Sequence, residues 1–211
     1  MLHFVLFLPK VYRIYFMKQF LITVVFLFIT SIAFSQKKID GFLGIKLGSD
    51  KESVIKAITL RGGELDVENT KSTNVTFRNV KVGANNAFGL IVKFINGKAF
   101  QASFLFSPTS DSKLISFYNQ FVEDLDAVYG KGDSFKRFTS PYEDGDGYEL
   151  TAIKAEKAEF NTFYDDKSAE PTKNMISVRI TSGMNVNLLY QDGVLIQEAI
   201  NAQNEQNRSD F

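Results

Sequence analysis

Cysteine is absent from this 211-residue chain and histidine occurs once, at His3. Without Cys there is no thiolate nucleophile, no disulfide and no Cys-based zinc cage. With the only imidazole near the amino terminus, the rest of the chain has no Ser-His-Asp triad and no His proton shuttle. A lipobox Cys is missing as well, which excludes a lipid-anchored form. An excess of charge of one sign is also lacking, with 24 basic against 24 acidic residues. Lys10, Arg13 and Lys18 are the basic groups of residues 1–35, which hold no acidic ones, so the remainder is weakly acidic. A mixed, slightly negative surface is not that of a phosphate-tracking protein, and no nucleic-acid partner is expected.

What is present begins with an export pattern. Lys18 is a short positive n-region, Phe20 to Ile32 an apolar h-region, and Ala33-Phe34-Ser35 a small-x-small cleavage site. The apolar run is about 15 residues, short of the ~20 that cross a bilayer as a helix. Residues 17–35 are therefore expected to be a signal peptide, with cleavage leaving Gln36 first. Residues 1–16 fit poorly, because Lys10 and Arg13 interrupt the apolar stretches; a mis-called start, with translation from Met17, accounts for them. The competing reading is an uncleaved anchor using both apolar stretches. After cleavage no stable membrane insertion is expected, and the chain would reside in the periplasm or outside the cell.

Residues 36–200 read as one α+β domain of antiparallel sheet, with two amphipathic helices packed on one face and possibly two α-βββ units. Ser49 and Glu52 form a capping-box pattern ahead of Val54, Ile55 and Ile58, and Gly62-Gly63 stops that helix. Thr73 to Val82 is β-branched, with a change of phase between Phe77 and Val80 that requires a bulge or bend. Phe88, Leu90, Val92 and Phe94 alternate up to Asn96-Gly97, a strong hairpin signal. Phe100, Ala102, Phe104 and Phe106 return on one face, with Gln101 and Ser103 on the other.

Leu114, Phe117, Tyr118, Phe121, Leu125 and Val128 recur at helical spacing and end at Gly130. Strands are expected over residues 134–139, 148–155, 159–164, 175–181 and 186–190. A short helix from Asp192 would then fade into a polar tail, 201–211. Phe211 ends the chain as in outer-membrane barrels, but the residues before it lack a barrel strand's alternation.

The entry Gly44-x-x-x-Gly48-x-x-x-x-x-Val54, followed by a helix and an aromatic hairpin, resembles small envelope proteins of the SmpA/OmlA (BamE-like) and β-lactamase-inhibitor-protein-like group. Tyr129-Gly130-Lys131-Gly132-Asp133 resembles the turn that follows a helix in many of them, with Gly132 where Pro is frequent. Val186-Asn187-Leu188-Leu189-Tyr190-Gln191-Asp192, ahead of a polar tail, resembles uncharacterised exported proteins of Gram-negative bacteria. The likeness covers residues 41–130 and departs from the lipoprotein members in the missing Cys. It implies a non-enzymatic role in binding or scaffolding another envelope protein, and transfers no binding residue.

Among candidate sites, the loop Glu143 to Glu149 carries Asp144, Asp146 and Glu149, oxygen donors of the kind Ca²⁺ takes. Their spacing fails the EF-hand template, and Asp and Gly are ordinary turn residues. No catalytic residue and no cofactor is expected. Asp165-Asp166 with Glu143 or Asp146 would be needed to pair carboxylates for glycan hydrolysis. Lys136, Arg137, Lys154 and Lys157 read as charges on half-exposed strands, and Lys81, Lys93 and Lys98 as guards of sheet edges. The Phe-rich hairpin reads as core, or else as the wall of an apolar-ligand cavity. The leading expectation is an exported, non-catalytic envelope protein that binds another protein. The alternatives are an envelope-glycan hydrolase and a small apolar-ligand carrier.

Overall fold

The computed structural model describes residues 37–165 and 172–209. Residues 1–36, with the expected signal peptide, residues 166–171, with Asp166, and residues 210–211, with Phe211, lie outside the described residues.

The domain opens with a hairpin of β1 (Gly41–Phe42) and β2 (Ile45–Lys46). Leu43 and Gly44 both take positive φ at its turn. Gly41 has no room for a side chain, since a Cβ would lie 2.1 Å from the Ile45 carbonyl oxygen. Helix α1 (Lys51–Leu60) is capped by Asp50, one residue after the expected Ser49, through a 2.8 Å bond from the Ser53 amide. It ends where expected: Gly62, at positive φ, donates to Thr59 and Gly63 to Ile58, a Schellman motif.

Strands β3 (Glu64–Leu65), β4 (Asn74–Arg78), β7 (Gly89–Ile95) and β8 (Lys98–Phe106) form one meander. The expected bend falls at Asn79, whose positive φ separates β4 from β5 (Val80–Val82); β5 pairs only with β6 (Asn85–Ala87). Helix α2 (Leu114–Tyr129) follows and starts a second half. Its meander is β9 (Asp133–Phe138), β10 (Ala158–Asp165), β11 (Met175–Ile180) and β12 (Val186–Gln191). The last strands of the two halves, β8 and β12, pair antiparallel. The result is one eight-stranded sheet of order β3-β4-β7-β8-β12-β11-β10-β9. The α+β class holds, as two helix-plus-meander halves sharing a sheet.

Helices α1 and α2 lie on one face, α1 against β3 and β8, α2 against β11 and β12. Between helices and sheet, Phe42, Phe104 and Tyr190 meet edge-on or tilted, with ring centroids 6.1–6.3 Å apart. Phe106 stacks on Phe104 and touches Phe121 of α2 at 4.6 Å. Burying each such ring contributes about 1.5–3 kcal/mol. Four side chains of α2 are buried, Leu114, Tyr118, Phe121 and Leu125, and Val128 is not.

Three expectations are corrected. Residues 148–155 form no strand: Glu149–Lys154 is a short helix, α3, burying Ala152 and Ile153. A six-residue apolar run does not by itself separate the two periods. A bulge opposite Lys93/Phe94 shifts the register, so that Phe94 pairs Ala99 while Lys93 pairs Gln101. Phe100 is the extra residue, buried but outside the main core cluster, and Phe88 precedes β7 and is 45% exposed. The polar tail does not fade at 200, because helix α4 spans Gly193–Ser209. Asp192 caps it, accepting from the amides of Val194 and Leu195, and Gln197 bonds Asn201 one turn on. Among the described residues no helix is long and apolar enough to cross a membrane.

Candidate functional site

The acidic loop spends its carboxylates on itself. Asp146 accepts from the amides of Glu143 and Tyr148 at 2.9 and 2.7 Å, and Glu149 from the amide of Gly145 at 3.1 Å. Asp144 forms an ion pair with Lys136. Among the described residues no three or more Asp, Glu, His or Cys gather as a cation site. Asp165 lies elsewhere. The loop follows Phe138, which pairs with Ala158 at the start of β10, whereas Asp165 ends that strand and holds Lys173. Seven residue steps along a strand separate the two ends by ~23 Å, beyond the ~5–9.5 Å of a glycosidase carboxylate pair.

The scattered basic residues are likewise tied: Arg137 to Glu159 and Lys154 to Asp111. Lys93 guards no edge, since β7 lies between β4 and β8. The edges are β3 and β9, and the charges on β9 are Asp133, Lys136 and Arg137.

Behind the core, α2 and the β9–β10 end of the sheet are joined by hydroxyls. Tyr118 and Ser134 both bond Thr162, at 2.6 and 3.0 Å. Asp126 accepts from the Tyr164 hydroxyl at 2.8 Å and from the Gly132 amide at 3.1 Å. Gly132 is required here: a Cβ would stand 2.7 Å from both Thr162 and the Tyr164 ring. Burial pushes the hydroxyls of Tyr118, Tyr164 and Tyr190 above the usual phenol range. They are therefore uncharged at neutral pH, and the bonds of Tyr118 and Tyr164 tie α2 to β10. A half-open groove of about 220 Å³ runs beside them, lined by Ile115, Val122 and Phe160.

The other face of the sheet is the larger opportunity. Helix α4 lies against β7 and β8, where Leu195 is buried and Ala199 borders a depression with Phe100. Its start is fixed by Asn174, which accepts from the Gly193 amide and donates to the Ile39 carbonyl. Among the described residues, the β12, β11, β10 and β9 portion of that face carries no helix. Following the register across neighbouring strands, one row reads Ile91, Ser103, Leu189, Ser177, Phe163 and Asp133. Large apolar groups alternate with serines, which leaves shallow hollows between them. The neighbouring row carries Leu105, Asn187, Arg179, Asn161 and Phe135. Phe163 is 39% and Phe135 45% exposed, while Leu189 and Leu105 are partly covered. Asn187 is buried and donates to Ser103 across the strands at 2.9 Å, so the middle of the row is ordered before any partner arrives.

Sequence reasoning placed Ser103 on this face but missed the row, because its members come from six strands. One signal was available. In β12, Val186, Asn187, Leu188 and Tyr190 are buried together, as in a strand that is covered to some degree on both faces. Comparison with family models, with curated proteins and with solved structures returned no match for this chain.

Proposed function

We propose that this chain is an exported, non-catalytic envelope protein that binds another protein through the open face of its eight-stranded sheet. The observation that carries the reading is the row Ile91, Ser103, Leu189, Ser177 and Phe163. It spans about five strands at ~4.8 Å each, a rigid, shallow and mixed surface suited to another protein better than to a small ligand. The Phe-rich side supports this, since Phe104 and Phe106 are fully buried against α2 and β1, as core residues are. Export rests on the pattern of residues 17–35. The absence of Cys, the lone His3 and the separation of the acidic groups support a role without catalysis. The resemblance to small envelope proteins points the same way.

The test is crosslinking of intact cells that express the tagged full-length gene, with mass spectrometry of partners and of the chain's own amino terminus. A Gln36 terminus and one dominant envelope partner are expected. Phe163→Asp should cut recovery of that partner about tenfold, equivalent to about 1.4 kcal/mol. Leu60→Asp, on a 79% exposed site of α1 at the other face, should leave it unchanged. Leu60→Asp should stay within about 0.5 kcal/mol of the parent in stability, and Phe163→Asp, whose new carboxylate faces Asp133 across the strands, is scored only on chains that circular dichroism shows to be folded. Equal recovery from both variants would sink the open-face reading, and an intact Met1 terminus would sink export.

A further inference from the structure

Strand β9 closes one side of the sheet, and among the described residues nothing pairs with its outer edge. Its six residues, Asp133-Ser134-Phe135-Lys136-Arg137-Phe138, run without a register shift against β10, contain no proline and are largely exposed. A long, regular, unpaired edge is a template for another strand. Lysine on such an edge ordinarily blocks pairing, but here Lys136 is drawn back: it pairs with Asp144, and its Nζ lies 5.1–5.5 Å from the Phe138 and Phe160 rings. Arg137 is held beside Glu159 and above the Phe135 ring. Neither head group is left free to screen the edge.

The backbone phase restricts what can dock. The Thr139 amide donates to the Lys157 carbonyl of the β10 side at 2.7 Å. In an antiparallel ladder, alternate residues turn both amide and carbonyl to the same side. Residues 135 and 137 therefore bond β10, and Ser134, Lys136 and Phe138 offer their amides and carbonyls to the free edge. Two copies of β9 can pair antiparallel only in registers that set outward residues opposite outward residues.

Those registers differ sharply in charge. With Lys136 on the two-fold axis, two lysines face each other. With Arg137 on the axis, two arginines do. With Phe135 on the axis, Asp133 of each copy faces Arg137 of the other, Ser134 faces Lys136, and the two Phe135 rings meet. Opposite charges and aromatic pairs directly across strands stabilise an antiparallel pair, and like charges destabilise it. The Asp133 carboxylate has no side-chain partner of its own among the described residues, and Arg137 would stand between Glu159 and the incoming Asp133.

We propose that the chain self-associates through β9, edge to edge, as an isologous dimer with Phe135 on the two-fold axis. Pairing of Ser134 with Lys136 on both sides of the axis supplies about four backbone hydrogen bonds. The two eight-stranded sheets become one, and the open faces of both copies continue across the junction. This edge adjoins the row proposed to bind a partner protein, at Asp133, but Ile91, Ser103, Leu189, Ser177 and Phe163 lie on other strands, so crosslinking through β9 and partner recovery can fail separately.

The register makes the test specific because the chain has no native cysteine. In a non-hydrogen-bonded pair the Cα atoms stand about 4.5 Å apart, inside the ~4.4–6.8 Å range that a disulfide spans. Purified full-chain protein carrying Phe135→Cys should therefore convert mostly to covalent dimer on mild oxidation. Lys136→Cys and Arg137→Cys, displaced from the axis beyond the ~7 Å limit, should crosslink at least fivefold less. Sedimentation velocity of the unmodified chain from about 1 to 100 µM should show a monomer–dimer equilibrium. Asp133→Arg, which sets Arg against Arg137, should weaken it at least tenfold, and more so at low salt. A chain that stays monomeric throughout that range overturns the proposal. So does preferential crosslinking through Lys136→Cys or Arg137→Cys, or a dimer indifferent to Asp133→Arg.

Discussion

Thr162 shows how much of this protein's cohesion rests on single polar atoms. Its hydroxyl meets Tyr118 and Ser134, and its methyl packs against Gly132. Thr162→Val keeps the shape but leaves the buried Tyr118 hydroxyl without that partner. It should cost about 1–3 kcal/mol in urea unfolding, the penalty for an unsatisfied buried donor. Gly132→Ala should cost a similar ~1–3 kcal/mol, by overpacking against Thr162 and Tyr164. Asp66 is a second such residue, buried under β4 and bonded by Asn69 and by Arg78 at 2.7–2.9 Å. These bonds, from Asn69 first and then Arg78, hold its carboxyl below the usual carboxylate range. A depressed folded value means the stabilisation is present above the unfolded pKa of ~3.9 and is lost as pH falls through the lower folded value. Thermal unfolding of Asp66→Asn against the parent should therefore show a clear gap at pH 6 that narrows as pH falls below the unfolded value of ~3.9. A gap independent of pH would show that Asp66 acts by shape alone.

At the scale of elements, the helices and strands differ in how openly their sequences declare them. Helix α2 and the β7–β8 hairpin were legible, since their apolar residues repeat at clean periods and Gly130 and Asn96-Gly97 mark their ends. Helix α3 was not, because six residues hold fewer than two turns, too few for the helical period to stand out from an alternating one. Helix α4 outran expectation because its polar residues satisfy one another along the helix after Asp192 has capped it. The start of α4 is also its weak point: a Cβ at Gly193 would fall 2.3 Å from the Lys173 carbonyl oxygen. Gly193→Ala should lift the helix from β7 and β8 and speed hydrogen exchange around Phe100 and Leu195. The β9–β12 amides should keep their protection, because α4 does not cover them.

For the whole molecule, the arrangement follows from two halves that each bury one sheet face under one helix and then join through β8 and β12. That leaves one broad face with partial cover, and both functional proposals are located there or on its edge. The class of fold, the two helices, the central hairpin and the chemistry that the chain lacks were all determined by sequence, because they depend on residue type and on spacing within one segment. Pairing of β8 with β12 joins residues more than 80 positions apart, and nothing local encodes it. The same is true of the separation of Asp165 from the acidic loop, of the bulge that turns Phe100 out of the core, and of the row through Leu189 and Phe163. Each is a relation between strands, set by register and by which face the helices cover, and so was decided only by the tertiary structure.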